Sequence, residues 1–318
     1  MVTIKDVAKK AGHSISTVSY ALNNDSRISE KTANKIKEIA KEMNYFPSAA
    51  ARNLKRKTTK TIFVAISDFG GPVYNELLDG IHHELAKNDY TMIVSTGVST
   101  DKILKQRGSD ASIISDINIT DKFLVQISNG HSPIFVLDRS LKGNNIYNLT
   151  IDNLNAMFEL TEDIIKKGYK RIAFVHGVID SYDNKTRFEG FLKAMNAFNL
   201  NVYKEYKGSF TKESGYKIAD EIINDKQRPD MLVCSNDEMA LGIIEKLQLN
   251  NILIPEEIGI SGFDDIELSK YFSPRLTSIK VDHFNWGRRI AKTILNLLKG
   301  KDIVVKKEKG TLVKRESY

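Results

Sequence analysis

Cysteine and tryptophan each occur once in this chain of 318 residues, proline six times, and long apolar runs are absent. The single cysteine, Cys234, excludes a disulfide framework and a four-cysteine zinc site. No apolar run approaches the roughly 18 residues of a membrane span. The opening Met1-Val2-Thr3-Ile4-Lys5-Asp6 lacks the apolar stretch of a signal peptide. A soluble, cytoplasmic chain with no membrane partner is expected. The signatures of catalysis are missing too. No G-x-G-x-x-G follows an apolar run, no G-x-x-x-x-G-K-[ST] occurs, and His82-His83-Glu84 lacks the second histidine of a zinc-protease helix. Six histidines and one cysteine show no metal-ligand spacing, so no enzyme, metal or cofactor is expected. Cys234, on an apolar run, reads as a buried structural thiol. Trp286, near the start of a C-terminal helical pattern, reads as packed rather than stacked on a ligand.

What is present is charge, unevenly placed. Residues 1–60 hold 13 Lys and Arg against 5 Asp and Glu, whereas residues 61–318 hold 34 against 35. The whole excess of the net +7 therefore lies in the first fifth of the chain. A basic excess confined to one N-terminal module points to nucleic acid. The remainder, 41% hydrophobic and 27% charged overall, is ordinary globular composition.

The basic module reads as three short helices. Thr3 caps the first, with Ile4, Val7, Ala8 and Ala11 at helical spacing, and Gly12 ends it. Ser14 caps a second, Ser16 to Leu22, whose Val18, Ala21 and Leu22 turn inward and whose Ile15, Ser16, Ser19 and Tyr20 turn outward. After Asn23-Asn24-Asp25, Ser29 caps a third carrying Ala33, Ile36, Ile39, Ala40 and Met43 on one stripe. This pattern describes a helix-turn-helix. Pro47 then opens Ser48-Ala49-Ala50-Ala51-Arg52-Asn53-Leu54, followed by Lys55-Arg56-Lys57. That segment is too short for a stable isolated helix and is expected to become helical only when braced.

Thr3-Ile4-Lys5-Asp6-Val7-Ala8, Ser16-Thr17-Val18-Ser19, Asn44-Tyr45-x-Pro47 and Ala49-x-Ala51-Arg52-x-Leu54 closely resemble the lactose/galactose repressor (LacI/GalR) family. The resemblance implies that the second helix enters the major groove of operator DNA, with contacts from Thr3, Ile15, Ser16, Thr17, Ser19, Tyr20 and Asn23. It also implies a hinge helix in which Leu54, beside Ala51, wedges into the minor groove, with Tyr45, Arg52 and Lys55 nearby. Apolar wedges unstack a base step and bend DNA while cations hold phosphates. Tyr20 departs from the family, where arginine is frequent and reads guanine through two hydrogen bonds; a phenol cannot make that paired contact.

From Lys60 onward short apolar runs alternate with helical patterns. The strand-like runs are 61–66, 90–94, 111–114, 133–137, 171–175, 230–234 and 258–263, with helical patterns near 74–88, 120–129, 153–168, 184–199, 213–225, 236–249 and 284–299. Such alternation gives parallel sheets wrapped by helices, here two of them, with ligands beyond the carboxyl ends of the strands. Asp68, Asp138-Arg139, Asn236-Asp237 and Asp264-Asp265 follow such runs. Ser235-Asn236-Asp237-Glu238 also reads as a plain helix start.

Family resemblance continues through Ile151-Asp152-Asn153, Arg187-Phe188-x-Gly190, Ser235 to Ala240, Gly262-Phe263-Asp264-Asp265, Leu276-Thr277-Ser278-Ile279 and Leu312-Val313-x-Arg315-x-Ser317. It implies an α/β core like periplasmic sugar-binding proteins, two subdomains joined by three crossovers around an effector cleft. The domains implied are a helix-turn-helix DNA-binding domain over 1–44, a hinge over 45–59 and an effector-binding and dimerisation core over 60–318. Within the core the N-subdomain covers about 60–151 and 281–308, and the C-subdomain about 152–280 and 309–318. The positions matching the family's cleft are Asp138, Arg187, Asn236 and Asp264, with Phe210 as an aromatic wall and Asp68, Val73 and Tyr74 from the first subdomain. Between Thr100 and Ile113 the chain is shorter than the family's usual full helix.

The reading that follows is a homodimeric transcription repressor on double-stranded operator DNA, controlled by a sugar or sugar phosphate. Two alternatives stand beside it: a global carbon regulator with a phosphorylated carrier protein as corepressor, and a sugar-binding module without DNA function.

Overall fold

A computed structural model describes residues 2–46, 58–97, 100–106, 108–130 and 132–318. The chain divides into two compact units, residues 1–60 and 61–318.

The small unit contains α1 (Ile4–Ala11), α2 (Ile15–Leu22) and α3 (Glu30–Glu42). Local chemistry sets each boundary. The Thr3 amide and hydroxyl both donate to the Asp6 carboxylate, at 2.8 and 2.7 Å. Gly12 adopts φ 68°, the left-handed turn that ends α1. Ser14 and Ser29 accept from the Thr17 and Thr32 amides and so cap the next two helices. Val7, Val18, Ala21 and Ile36 are fully buried where the three helices meet. Tyr45 packs at the edge of that core. Residues 47–57, and with them the expected hinge residues Ala51, Arg52, Leu54 and Lys55, lie outside the described residues.

The large unit has two halves. The first runs β1 (Thr61–Ile66), α4 (Pro72–Ala86), β2 (Thr91–Thr96), α5 (Thr100–Lys105), β3 (Ala111–Ser115), α6 (Asp121–Ser128), β4 (Ile134–Val136) and β5 (Ile146–Asn148). Its sheet is parallel throughout, in the order β2-β1-β3-β4-β5. The second half begins α7 (Asn153–Lys166), β6 (Ile172–His176), α8 (Tyr182–Ala197), β7 (Lys204–Lys207) and α9 (Lys212–Asn224). It continues β8 (Met231–Cys234), α10 (Asp237–Leu249), β9 (Gly259–Asp264) and β10 (Thr277–Lys280). After α11 (His283–Leu298), which packs on α4 of the first half, β11 (Thr311–Val313) returns to pair antiparallel with β10. The chain thus passes between the halves three times, after β5, after β10 and before β11. Two of these passages pair: the Asp152 amide donates to the Glu308 carbonyl at 2.7 Å and the Glu308 amide to Thr150 at 2.9 Å.

Central strands such as Met231–Cys234 are apolar at every position because both faces are covered, and Cys234 is fully buried there, as expected. The four strands that the sequence pattern does not announce are β5, β7, β10 and β11. The edge strand β7, Lys204-Glu205-Tyr206-Lys207, has only Tyr206 buried, so its composition is that of a loop. The short stretch after β2 holds the six-residue helix α5 in place of a full one.

Helices α4 and α11 touch backbone to backbone. A Cβ added at Gly287 would run into the Leu77 carbonyl oxygen, and one at Gly80 into the Phe284 carbonyl. Gly287→Ala is therefore expected to destabilise the chain by about 1–3 kcal/mol through overpacking. Urea denaturation of the full chain checks this, and an unchanged midpoint would show that the helix pair yields without strain.

Candidate functional site

A cavity of about 340 Å³ opens between the two halves of the large unit, beyond the carboxyl ends of both sheets. It brings together all seven effector residues expected from the sequence: Asp68, Tyr74, Asp138, Arg187, Phe210, Asn236 and Asp264, with Val73 beside them.

Arg187 is the most constrained of them. It projects from α8 and is 4% exposed. Its Nε donates to Asn153 Oδ1 at 3.0 Å, its Nη1 to the Ser235 carbonyl at 2.5 Å, and the guanidinium lies 3.7 Å from the Phe263 ring centre. Its Nη2 stands 3.6 Å from Asp264 Oδ1, attractive but too far for a hydrogen bond. Asp264 ends β9 at φ 103°, a conformation costly for any residue with a side chain. The same Oδ1 is 3.6 Å from His283 Nε2. His283 is 2% exposed, and neither ring nitrogen has a hydrogen-bond partner.

Other expected residues are already occupied. Asn236 caps α10, accepting from the Met239 amide at 3.2 Å, while its Nδ2 donates to the Phe210 carbonyl at 2.8 Å. The helix-start reading of Asn236 is thus observed, and one N–H and one lone pair are left for a ligand. The Tyr74 hydroxyl donates to the Ser115 carbonyl at 3.1 Å. Asp138 is gripped by the Arg139 fork at 2.9 and 3.0 Å. Phe210 is turned into the cavity wall by a left-handed backbone, φ 66°.

Among the further lining residues that sequence reasoning did not select for the site, four are titratable or aromatic: Asp183, Glu238, His283 and Trp286. Asp183 stands one helical turn before Arg187, a spacing that puts both on one face. Burial raises its carboxyl above the usual range, with Arg187 acting in the opposite direction. Burial likewise raises Glu238, with Asp264 adding to it. Trp286 is packed, as expected, at 6% exposure, yet it also forms part of the cavity wall. The wall therefore carries five carboxyl groups against one guanidinium and one imidazole.

On the small unit, α2 exposes Ile15, at 45%, and Ser16. Thr17 and Asn23 are engaged locally, the first with the Ser14 hydroxyl at 2.9 Å and the second with the Ser19 carbonyl at 2.7 Å. Tyr20 is covered by a cation that the sequence pattern does not suggest. The Arg27 guanidinium sits 3.8 Å over its ring, aligned by two bonds to the Asp25 carboxylate at 2.8 and 2.6 Å. Among the described residues no cluster of His, Cys, Asp and Glu is arranged to hold a metal, and no helix is long and apolar enough to cross a membrane.

Residues 3–48 match the family profile of bacterial regulatory proteins of the lacI family, and residues 161–318 that of a periplasmic binding protein-like domain. The HTH-type transcriptional repressor PurR of Aliivibrio salmonicida is 32% identical over 308 residues, spanning 94% of this chain and 91% of its own length. The chain belongs to the lacI family of bacterial regulatory proteins. As a lacI-family member it is a DNA-binding transcriptional repressor with an effector-binding core, and its relatives are repressors rather than enzymes. The Lac repressor dimer bound to operator and the anti-inducer ONPF has the same fold, with a TM-score of 0.86 at 24% identity over 99% of this chain and 98% of that one. A sugar-binding lacI-family regulator from Enterococcus faecalis gives a TM-score of 0.77 at 30% identity, over 83% of this chain and 99% of its own.

Beside the cavity, Asp237 has a different role. It is fully buried and accepts from the Ile266 amide at 2.9 Å and from the Ser269 and Ser278 hydroxyls at 2.6 Å each. Burial pushes its carboxyl from 3.8 up to about 8, against those hydrogen bonds. A folded value above the unfolded one means that stability is fully present at low pH and is lost as pH rises towards about 8. Asp237→Asn, which keeps an acceptor for Ile266 and Ser269 and donates to Ser278, should flatten that decline. Denaturation midpoints between about pH 5 and about pH 8 check it; parallel curves for parent and variant would place the proton elsewhere.

Proposed function

We propose that this repressor binds a partly palindromic operator as a homodimer and that a neutral carbohydrate in the cavity controls its operator affinity. The observation that carries the effector reading is the Arg187–Asp264 pair. The one guanidinium nitrogen left open, Arg187 Nη2, faces the Asp264 carboxylate at 3.6 Å, with Phe210 and Trp286 in the same wall. Paired donors and acceptors beside aromatic rings are what a sugar's hydroxyls and apolar face require. The volume of about 340 Å³ falls within the usual range of small-molecule sites. The charge of the wall narrows the ligand class. Asp138 is paired with Arg139 and burial favours the neutral forms of Asp183 and Glu238, so Arg187 is left facing Asp68 and Asp264 with no surplus of positive charge to hold a dianionic phosphate ester, which favours an uncharged sugar over a sugar phosphate. The regulator from Enterococcus faecalis is described as sugar-binding. The name PurR carried by full-length relatives makes a purine the rival ligand.

A ligand acts only through different affinities for the DNA-competent and incompetent forms. Trp286, the one tryptophan, lies in the cavity wall and is a built-in reporter. Titrating the full chain with neutral mono- and disaccharides and with purine bases should change its fluorescence with a sugar. Asp264→Asn and Arg187→Ala should abolish both that change and the effect on operator binding, while the ligand-free variants still bind operator. A response to purines alone would refute the sugar reading, and a response kept by both variants would refute the site.

On the DNA side, the basic head and the exposed face of α2 support groove recognition, with Leu54 as the wedge. Leu54→Ala should weaken specific binding by about 1–3 kcal/mol and reduce the bend. Tyr20→Arg should move the half-site selected from random DNA towards guanine at that place. Identical selected sites for parent and Tyr20→Arg would remove Tyr20 from the reading face.

A further inference from the structure

Arg187 is held in part by a chain of hydrogen bonds that starts at the edge of the second sheet, outside the cavity wall. His176, the last residue of β6, is 5% exposed, with the Phe174 and Phe188 ring centres at 4.8 and 4.6 Å. Its Nε2 lies 2.9 Å from Glu205 Oε2 on β7, and its Nδ1 lies 3.1 Å from Asn184 Nδ2 on α8. Asn184, 2% exposed, accepts at Oδ1 from the Gly177 amide at 2.8 Å and from the Ser235 hydroxyl at 3.0 Å. These two donors orient the amide, because only its oxygen can accept from the Gly177 N–H. Asn184 Nδ2 must then donate to His176 Nδ1, and the single proton of the neutral ring sits on Nε2, where it donates to Glu205. Ser235 closes the chain by offering its carbonyl to Arg187 Nη1 at 2.5 Å.

A second proton on His176 cannot be accommodated by this arrangement. Nδ1–H would face the Asn184 NH₂. Turning the amide over satisfies Nδ1–H but sets the NH₂ against the buried Gly177 amide, which then loses its acceptor. Either response disturbs Asn184 and the Ser235 segment it anchors. Glu205 is the charged group within hydrogen-bond reach of the ring. Lys207 is its register partner on β7, and Asp183 and Arg187 are the charges on the adjoining turns of α8. Phe174 and Phe188 contribute none.

We propose that His176 is a proton-sensitive positioning residue for Arg187, acting through Asn184 and Ser235, so that protonation of His176 loosens the guanidinium and weakens effector binding. The effect on the effector rests on the reading of Arg187 as a ligand contact; the coupling of His176 to Arg187 does not. The full chain, labelled with ¹⁵N in histidine and arginine, can be followed by NMR from about pH 8 to about pH 5, the range in which histidines change charge. His176 should begin as the Nε2–H tautomer, and the Arg187 Nε–H signal should move with the same midpoint as His176. In His176→Gln, which keeps an acceptor but does not titrate, that movement should vanish. For a sugar that changes Trp286 fluorescence, the dissociation constant should rise on acidification about fivefold more in the parent than in His176→Gln. An Arg187 signal that ignores the His176 titration, or that titrates alike in His176→Gln, overturns the proposal. If no sugar binds, the effector reading fails, while the NMR experiment still decides whether the network exists.

Discussion

A guanidinium that is only 4% exposed must have its charge and its donors answered from within the fold, and Arg187 organises the cavity for that reason. Three elements answer it. Asn153, at the start of α7, takes Nε; the carbonyl between β8 and α10 takes Nη1; the Phe263 ring at the end of β9 covers one face. The remaining nitrogen is left facing Asp264 at a distance where attraction is present but a hydrogen bond is not. Arg187 and its partners all come from the second half of the large unit. The first half brings Asp68, Tyr74 and Asp138 to the opposite wall. In the proposed reading, a ligand that completes the Arg187–Asp264 pair also bridges the two halves, which gives it the differential contacts that a conformational switch needs.

Charge is divided to suit two partners. The basic excess of residues 1–60 suits a polyanion, and its salt dependence should be that of phosphate contacts. The cavity wall has no such excess, with Arg187 facing Asp68 and Asp264 and Asp138 paired with Arg139, so the phosphate chemistry that favours binding at the head finds no surplus of positive charge in the core. An uncharged polyol is compatible with that wall because carboxylates accept from hydroxyls without needing a compensating charge.

Much of this was legible in the sequence, for identifiable reasons. The caps Ser14 and Ser29 and the terminator Gly12 act within a few residues of where they stand, so their chemistry could be read locally. Buried parallel strands such as Ile172–His176 announce themselves because both faces are apolar up to the last residue. The residues at the carboxyl ends of strands were found because topology alone sends them to the crevice. What was not legible depends on tertiary approach. His283 and Trp286 look like the first turn of an ordinary helix until α11 packs on α4 and aims them at the cleft. Arg27 sits seven residues beyond Tyr20, and only the turn between α2 and α3 lays it over the ring. Strand β7, with Lys204, Glu205 and Lys207, has the composition of a solvated loop because, at the sheet edge, it buries only Tyr206. His176 gave no signal at all, since its role lies entirely in which atoms it meets.

The central claim is that the cavity holds an uncharged sugar through the open pair of Arg187 and Asp264. A crystal structure of the full chain with a sugar that changes Trp286 fluorescence tests it most directly. The account predicts a sugar hydroxyl within hydrogen-bond distance, about 2.7–3.0 Å, of both Arg187 Nη2 and Asp264. A ligand bound outside this cavity, or one inside it that leaves the Arg187–Asp264 pair untouched, would contradict it.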